Sequence, residues 1–202
     1  MHDYRAIFLD IDGTLTQPGH SAPPASAVAA IESARCAGRR VFLCTGRCEA
    51  MLKPLLHCAD FDGYVASSGG LVVVGSRDVF DCPMTPQEQA HVLTALSDNG
   101  VFRTVQTRMG AYCDEGFRDF LRARDVQNGS GVKQVCAAIG VDPADSICFG
   151  DSLNDLPMFA AAGFSVCMGN GGDAAKQSAD AVCDSVEADG LAKAFADFGL
   201  LA

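Results

Sequence analysis

A short apolar run that ends on two acidic residues constrains this chain more than any other feature. Ala6 to Leu9 are four consecutive apolar residues, and Asp10, Ile11 and Asp12 follow directly. An uninterrupted run of this length is typical of a strand buried on both faces in a parallel sheet. Its carboxyl end is the edge at which open α/β sheets bind ligands. The sequence therefore predicts an α/β fold organised around this strand.

The next buried strand also ends on polar residues. Residues 40–44 form this second run, and Thr45, Gly46 and Arg47 follow it. A right-handed strand–helix–strand unit brings both strand ends to one edge, so we expect Thr45 beside Asp10. There its hydroxyl and the nearby N–H groups suit a phosphoryl oxygen, although a simple helix N-cap is the alternative role. Arg47 either binds an anion in this site or lies at the surface.

A third group of polar residues follows the apolar run 146–149. Asp151 lies at the predicted strand end, and Asn154 and Asp155 come three and four residues later. On a first helical turn that spacing directs both side chains back toward the strand end. Carboxylates gathered at one sheet edge are the ligands that hard divalent cations prefer. The alternative is a set of solvated strand-to-loop junctions, because Asp and Gly are common in turns.

These strand ends together resemble the motifs of the haloacid dehalogenase superfamily, in its Cof-like branch. The stretch from Asp10 to Thr14 is similar to the first motif, Asp-x-Asp-Gly-Thr, and Thr45 and Gly46 are similar to the second. Residues 150–158 are similar to the fourth, Gly-Asp-x-x-Asn-Asp-x-x-Met. The resemblance implies a three-layer α/β/α Rossmann-like core with a parallel sheet, plus a small α+β cap insertion.

The same resemblance implies a division into two domains. Residues 1–82 and 128–202 would form the core domain, and residues 83–127 a cap domain shorter than is usual in the Cof-like branch. The elements predicted for the cap are a helix over 85–98, a hairpin with strands over 102–107 and 111–114, and a helix over 117–124.

The chemistry implied by the resemblance is hydrolysis of a small phosphate monoester, such as a sugar phosphate, through an aspartyl-phosphate. Asp10 would be the nucleophile and Asp12 the general acid and base. Mg²⁺ would be the cofactor, bound by Asp10, Asp151 and the backbone carbonyl of Asp12. Asp155 would play a supporting role. The residues implied to bind phosphate or substrate are Gly13, Thr45, Gly46, Arg47, Asn128 and Asn154.

The sequence departs from the family pattern at the third motif. The lysine that opens this helix in the family falls on Asn128, when counted back from the end of the helix. Lys133 is the available substitute, although its angle from the apolar face favours a solvated side chain. Two functions therefore stay open: a phosphatase slowed by Asn128, or a catalytically impaired protein that binds a phosphorylated metabolite. The full set of acids favours the phosphatase. A second departure is Ser68-Gly69, where the branch usually has Asn-Gly.

The composition of the chain narrows the range of binding partners and cellular locations that we expect. The net charge of −10 argues against nucleic acid and anionic membranes. Ten scattered cysteines without a C-x-x-C pair indicate buried thiols in a reducing cytosol, and the spacing of Cys48, His57 and Cys58 is poor for zinc. No apolar run has the length of a signal peptide or a membrane span. We expect a cytoplasmic protein that binds a small phosphorylated metabolite, with its oligomeric state open.

A glycine-rich segment offers a competing interpretation. Residues 169–174 match the dinucleotide-binding pattern G-x-G-x-x-A, and Asp189 follows. A dinucleotide-binding fold needs more strand–helix units than the remaining residues provide. The segment instead resembles the C-terminal pattern of the Cof-like branch, Met168-Gly169-Asn170 followed by Lys176.

Overall fold

A computed structural model of the chain describes residues 2–98, 104–113 and 128–202. The described residues form an eight-stranded sheet and a separate two-stranded sheet. The strands are β1 (Ala6–Leu9), β2 (Arg40–Cys44), β3 (Gly63–Ala66), β4 (Leu71–Val74), β5 (Arg77–Asp81), β6 (Thr104–Thr107), β7 (Gly110–Cys113), β8 (Ser146–Gly150), β9 (Phe164–Cys167) and β10 (Ala181–Val182). The helices are α1 (Ala25–Cys36), α2 (Glu49–Leu52), α3 (Pro86–Asp98), α4 (Asn128–Ile139), α5 (Leu156–Phe159), α6 (Asp173–Ser178) and α7 (Gly190–Asp197).

The large sheet has β1 near its centre. Its strand order is β10-β9-β8-β1-β2-β3-β4-β5, and β1 pairs in parallel with β2 on one side and β8 on the other. Among the described strands of this sheet, the antiparallel pairings are those of β4 with its two neighbours, β3 and β5, at one edge. The carboxyl ends of β1, β2 and β8 therefore meet at one edge of the sheet.

Helices cover both faces of the sheet because the strands are apolar on both sides. Ile7 and Leu9 of β1 pack in a core with residues of α1 and α7, whereas Ala6 and Phe8 pack in a second core with residues of α4, α5 and α6. Alternation of side chains along a strand produces this division. All four residues of β1 are fully buried. The predicted three-layer α/β/α architecture is confirmed.

Residues between the two parts of the large sheet form a helix and a hairpin. The Thr85 hydroxyl accepts a hydrogen bond from the Glu88 N–H at 3.2 Å, and the Glu88 carboxylate accepts one from the Thr85 N–H at 2.8 Å. This capping box starts α3. Strands β6 and β7 form the hairpin, and β7 begins one residue earlier than predicted. Residues 102, 103 and 114 of the predicted strands lie outside the described residues. The helix predicted over 117–124 lies outside the described residues, and the division at 82 and 128 stays a prediction.

The hairpin turn is tied to the large sheet through Arg108. Its guanidinium donates to both Glu49 of α2, at 2.7 Å, and Asp78 of β5, at 2.6 Å. Tyr64 of β3 donates to the same Glu49 carboxylate at 2.6 Å. The hairpin therefore lies against the sheet edge through one cation shared between two elements.

Two expectations on composition can be compared with the described residues. In that part of the chain, no helix is both long enough and apolar enough to span a bilayer. The nine cysteines whose side chains are described are all unpaired.

Candidate active site

Asp10 lies at the carboxyl end of β1, in the interior of the protein. Its side chain is 4% exposed, and its N–H donates to the Phe149 carbonyl of β8 at 3.0 Å. One carboxylate oxygen each of Asp10, Asp151 and Asp155 lies within 4.8 Å of the others. Two of the strand-end acids predicted to converge, Asp10 and Asp151, therefore do so, and Asp155 joins them.

Asp155 shapes the loop that carries Asp151. Its Oδ2 accepts hydrogen bonds from the N–H groups of Asp151, at 2.9 Å, and Ser152, at 3.0 Å. A Cβ on Gly150 would lie 2.6 Å from the Asp155 Cγ, so only glycine allows this close approach. Asp155 thus fixes the backbone conformation at Asp151.

Several buried oxygens in this cluster lack partners among the described residues. They are the Oδ1 atoms of Asp151 and Asp155 and the hydroxyl of Thr14. A buried polar atom without a hydrogen bond costs about 1–3 kcal/mol. Because the donor set consists of oxygens with unused lone pairs, the residues present fit a hard divalent cation.

The pKa shifts of the clustered carboxyl groups also favour a bound cation. Burial raises the pKa of Asp10 well above its usual range, and the charges of Asp155, Asp151 and Asp12 raise it further. Burial and then Asp155 and Asp12 raise the pKa of Asp151 to about 6. Burial raises the pKa of Asp155 as well. Burial and mutual repulsion therefore oppose the joint ionisation of these carboxylates, and a nearby positive charge would offset both effects.

The Asp12 carboxylate is not part of the three-aspartate cluster and binds Arg47. Arg47 donates from Nε to Oδ2 at 2.9 Å and from Nη2 to Oδ1 at 2.5 Å. The Asp12 side chain is 64% exposed. The Nε and Nη2 groups of Arg47 therefore bind Asp12 in this structure. The predicted ligand role of Asp12 involved its backbone carbonyl, and that role stays a prediction.

Thr45 is buried at the end of β2, beside β1. Its hydroxyl accepts from the Arg47 N–H at 3.2 Å. This contact is a local turn and not the helix N-cap considered as the alternative, because α2 begins at Glu49 with Cys48 in its N-cap position. A turn at residues 67–69 holds this segment: Ser68 N–H donates to the Thr45 carbonyl at 3.1 Å and Ser67 N–H to the Arg47 carbonyl at 2.8 Å. Ser67 and Ser68 have φ of 51° and 53°, which strains non-glycine residues. Sequence reasoning noted Ser68 but missed this strained turn.

Gly13 packs directly against the Asp151 side chain. Its φ is 88°, and a Cβ there would overlap the Asp151 carboxylate, so the position needs glycine. The Gly13 N–H donates to the Thr16 carbonyl at 2.9 Å and is not an open donor for phosphate. The Gly13 carbonyl accepts from Asn170 at 2.7 Å. Sequence reasoning gave Asn170 no role, although its Met-Gly-Asn motif could have drawn attention to it.

The sequence matches the family described as haloacid dehalogenase-like hydrolase, over residues 7–126 and 117–195. The chain belongs to this family of hydrolases. The branch and the motifs expected from the sequence agree with this match, and the recognition of a Cof-like member is confirmed.

Relatives of full length are known for this haloacid dehalogenase-like hydrolase. A phosphoglycolate phosphatase of Methanothermobacter thermautotrophicus is 30% identical, over 96% of this chain and 98% of the relative. A phosphoglycolate phosphatase of Archaeoglobus fulgidus is 27% identical, over 98% of both chains. The similarity to these two relatives therefore extends over nearly the whole length of both chains.

Solved structures share the fold at low sequence identity. A phosphatase of the superfamily from Bacteroides thetaiotaomicron superposes with a TM-score of 0.86 at 18% identity, over 98% of this chain and 96% of that one. A sugar phosphatase of subclass IIB superposes with a TM-score of 0.83 at 23% identity, over 98% and 100%. These similarities establish the fold.

The remaining candidate residues of this hydrolase are Asn154, Lys133 and Asn128. Asn154 is exposed and accepts a hydrogen bond from the Ser152 hydroxyl. Lys133 is exposed on α4, in agreement with a solvated side chain. Asn128 begins α4, and its side chain lies outside the described part of the chain.

The glycine-rich segment does not form a dinucleotide site. A Cβ on Gly169 would lie 2.7 Å from the Ser185 nitrogen, and one on Gly171 would lie 2.7 Å from the Cys167 sulfur. These glycines therefore allow the chain to pack against itself. Cys48, His57 and Cys58 do not come together as a possible metal-binding group either; among the described residues only the three-aspartate cluster could hold a metal ion.

Proposed function

We propose that this protein is a Mg²⁺-dependent phosphatase that hydrolyses a small phosphate monoester through an aspartyl-phosphate on Asp10. The observation that carries the proposal is the buried Asp10 carboxylate, grouped with Asp151 and Asp155 at the carboxyl edge of a parallel sheet. Membership of the family gives the enzyme class: the chain is a phosphoric monoester hydrolase of the haloacid dehalogenase type.

The proposed reaction has two steps with matched proton transfers. In the first, an Asp10 oxygen attacks phosphorus, the bond from phosphorus to the ester oxygen breaks, and Asp12 gives the leaving alkoxide a proton. In the second, Asp12 takes a proton from water as the water oxygen attacks phosphorus, and the bond to Asp10 breaks to release phosphate. The exposed position of Asp12, two residues after Asp10, supports a role at the solvent side of the site.

The acidic cluster would hold the cation. We assign Asp10, Asp151 and the backbone carbonyl of Asp12 as ligands, and Asp155 as the residue that fixes the Asp151 loop. A bound Mg²⁺ supplies positive charge that offsets the repulsion between the attacking carboxylate and the phosphoryl oxygens. The unpartnered Asp151 oxygen supports this assignment.

The phosphoryl group would lie between the ends of β1 and β2. Thr45 and Gly46 would contact it there, with the backbone near Gly13 on the other side. The turn at Ser67 and Ser68 supports this role, because a strained turn that fixes the Thr45 segment is typical of functional sites. Arg47 would orient Asp12 and, with Asn128 and Asn154, contact the substrate.

The substrate is proposed to be compact. The described hairpin, β6 and β7, is small, and a small cap contacts little of the leaving group. The two archaeal relatives are named phosphoglycolate phosphatases, so phosphoglycolate is the first substrate to test, with sugar phosphates second.

The test is phosphate release from a panel of phosphate monoesters, measured with Mg²⁺ and with excess EDTA. We expect release from at least one compact monoester, its loss in EDTA, and its recovery when Mg²⁺ is restored. Turnover that persists unchanged in EDTA would contradict the metal role. Tight phosphate-ester binding without turnover would favour the catalytically impaired alternative, which rests on Asn128.

A further inference from the structure

Asn170 joins two backbone segments that lie far apart in the sequence. It sits in the glycine-rich segment between β9 and α6. Its Nδ2 donates to the Gly13 carbonyl at 2.7 Å, and its Oδ1 accepts from the Val186 N–H at 2.9 Å. The carboxamide therefore uses a donor and an acceptor at once, and a carboxylate of the same shape has no donor when ionised.

The Gly13 carbonyl belongs to the loop that directly follows Asp10. This loop closes on itself through the bond from the Gly13 N–H to the Thr16 carbonyl, at 2.9 Å. Asn170 fixes the same residue from the other side. Because the Gly13 backbone lies against the Asp151 side chain, a shift of Gly13 would move the surface against which that carboxylate packs.

The segment that carries Asn170 also holds Asp151. The Gly172 N–H donates to the Asp151 carbonyl at 2.9 Å, and a Cβ on Gly171 would lie 2.8 Å from that oxygen. Residues 170–172 thus contact the loop after β1 and the loop after β8. These two loops carry the acids of the cluster.

We infer that Asn170 is a positioning residue for the acidic cluster: by fixing Gly13 against Asp151, it sets the separation of the Asp10 and Asp151 carboxylates. The inference rests on the proposed function, since it assigns these carboxylates to the cation. Replacing a side chain that orients metal ligands typically changes metal affinity or activity by about 10- to 100-fold. Asn170 acts on cation affinity and kcat, and much less on the KM for the phosphate ester.

Two variants separate this role from simple loss of stability. Asn170→Ala removes both hydrogen bonds. Asn170→Asp keeps the acceptor for Val186 but places an oxygen against the Gly13 carbonyl. Its added negative charge would by itself strengthen cation binding, so weaker binding identifies a positional effect.

The matched control is Ser165→Ala. The Ser165 hydroxyl makes two hydrogen bonds with Asp180, at 2.7 and 3.1 Å. They lie toward the start of β9, away from the carboxyl edge of the sheet that carries the acids. This variant loses as many side-chain hydrogen bonds as Asn170→Ala, without touching the acidic cluster.

The measurement is Mn²⁺ affinity of the substrate-free protein by electron paramagnetic resonance titration, together with kcat, KM and Tm. We expect both Asn170 variants to bind Mn²⁺ about tenfold more weakly or worse and to have a lower kcat. Ser165→Ala should match the wild type in both, despite a similar fall in Tm. Unchanged or tighter Mn²⁺ binding by Asn170→Asp, or an equal loss in Ser165→Ala, would overturn the inference. Mn²⁺ binding needs no turnover, so a wild type that hydrolyses no phosphate ester would defeat the proposed function separately.

Discussion

Arg47 donates hydrogen bonds to both carboxylate oxygens of Asp12, and this geometry predicts that Arg47→Lys lowers the activity. Lysine keeps the charge but cannot reproduce the planar fork. We expect kcat to fall about tenfold because Asp12 loses its orientation, with a smaller change in KM. Arg35→Lys is the control, since Arg35 binds Asp62 at 3.2 Å and forms no part of the cluster. The measurement is kcat and KM of the wild type and both variants by steady-state kinetics. An equal kcat in the wild type and Arg47→Lys would count against the orienting role.

The pKa of Asp151, about 6, predicts how pH and Mg²⁺ act together on stability. A carboxyl whose pKa is higher in the folded state than in the unfolded state binds more protons when folded, so stability falls as pH rises through that range. Metal-free protein should lose stability from about pH 4 to beyond pH 6, and Mg²⁺ should restore it once the acids are ionised.

Thermal unfolding checks this linkage directly. The rise in Tm on adding Mg²⁺ should be larger near pH 7.5 than near pH 5, by several degrees for about 1 kcal/mol. Asp151→Asn should remove most of the difference. The same rise at both pH values would show that the acidic cluster does not bind the cation.

Asn128 stands where the family pattern has a lysine, and this replacement predicts a low kcat. A lysine there would place a fixed positive charge near the transferring phosphoryl group, and losing one such donor costs on the order of 10²- to 10³-fold in rate. Asn128→Lys should therefore raise kcat markedly, while Lys133→Ala, on an exposed residue, should change little. No gain in the first with a large loss in the second would show that Lys133 reaches the site.

At this scale the sequence predicted the positions of the main acids but not their contacts. Asp10, Thr45 and Asp151 each follow an apolar run, so strand periodicity and parallel pairing sufficed to bring them together. The direction of Arg47 and the strained Ser67 depend on packing between distant segments, which no local pattern encodes. Asn170 was missed for the same reason, since Gly13 lies 157 residues away.

At the scale of elements, the hairpin β6–β7 depends on Arg108. Its guanidinium is shared between Glu49 and Asp78, so Arg108→Ala should release the hairpin while leaving the main sheet intact. Hydrogen exchange of the hairpin amides should become severalfold faster, and Tm should change little because the group is partly exposed. Arg77→Ala, an exposed change on β5, is the control. Unchanged exchange in the hairpin would show that other contacts hold it.

Element boundaries were predictable where local chemistry sets them. The capping box at Thr85 marks the start of α3 in the sequence itself. The start of α1 is harder to predict, because Pro24 occupies the N-cap position and the hydroxyl of the nearby Ser26 donates to Asp189 instead. Strand β5 begins at Arg77, because pairing with β4 extends it through exposed residues that have no apolar pattern.

At the scale of the whole molecule, the sheet places β8 on one side of β1 and β2 on the other. Short apolar strands alternating with helices predicted a parallel three-layer core. They could not predict that β4 pairs in antiparallel fashion with both β3 and β5, because that depends on pairing chosen between similar apolar runs. The same alternation of apolar strands with helices made the core predictable, together with the strand ends that carry Asp10 and Asp151.

The central claim is that Asp10 is the nucleophile, and Asp10→Asn tests it most directly. An amide is neither a nucleophile nor a good ligand for a hard cation, and it relieves repulsion among buried acids. Phosphate release from the best substrate should fall on the order of 10⁴-fold or more, while Tm should match or exceed that of the wild type. Asp173→Asn, the same change at an exposed position, should keep full activity. Near wild-type phosphate release by folded Asp10→Asn would contradict the account.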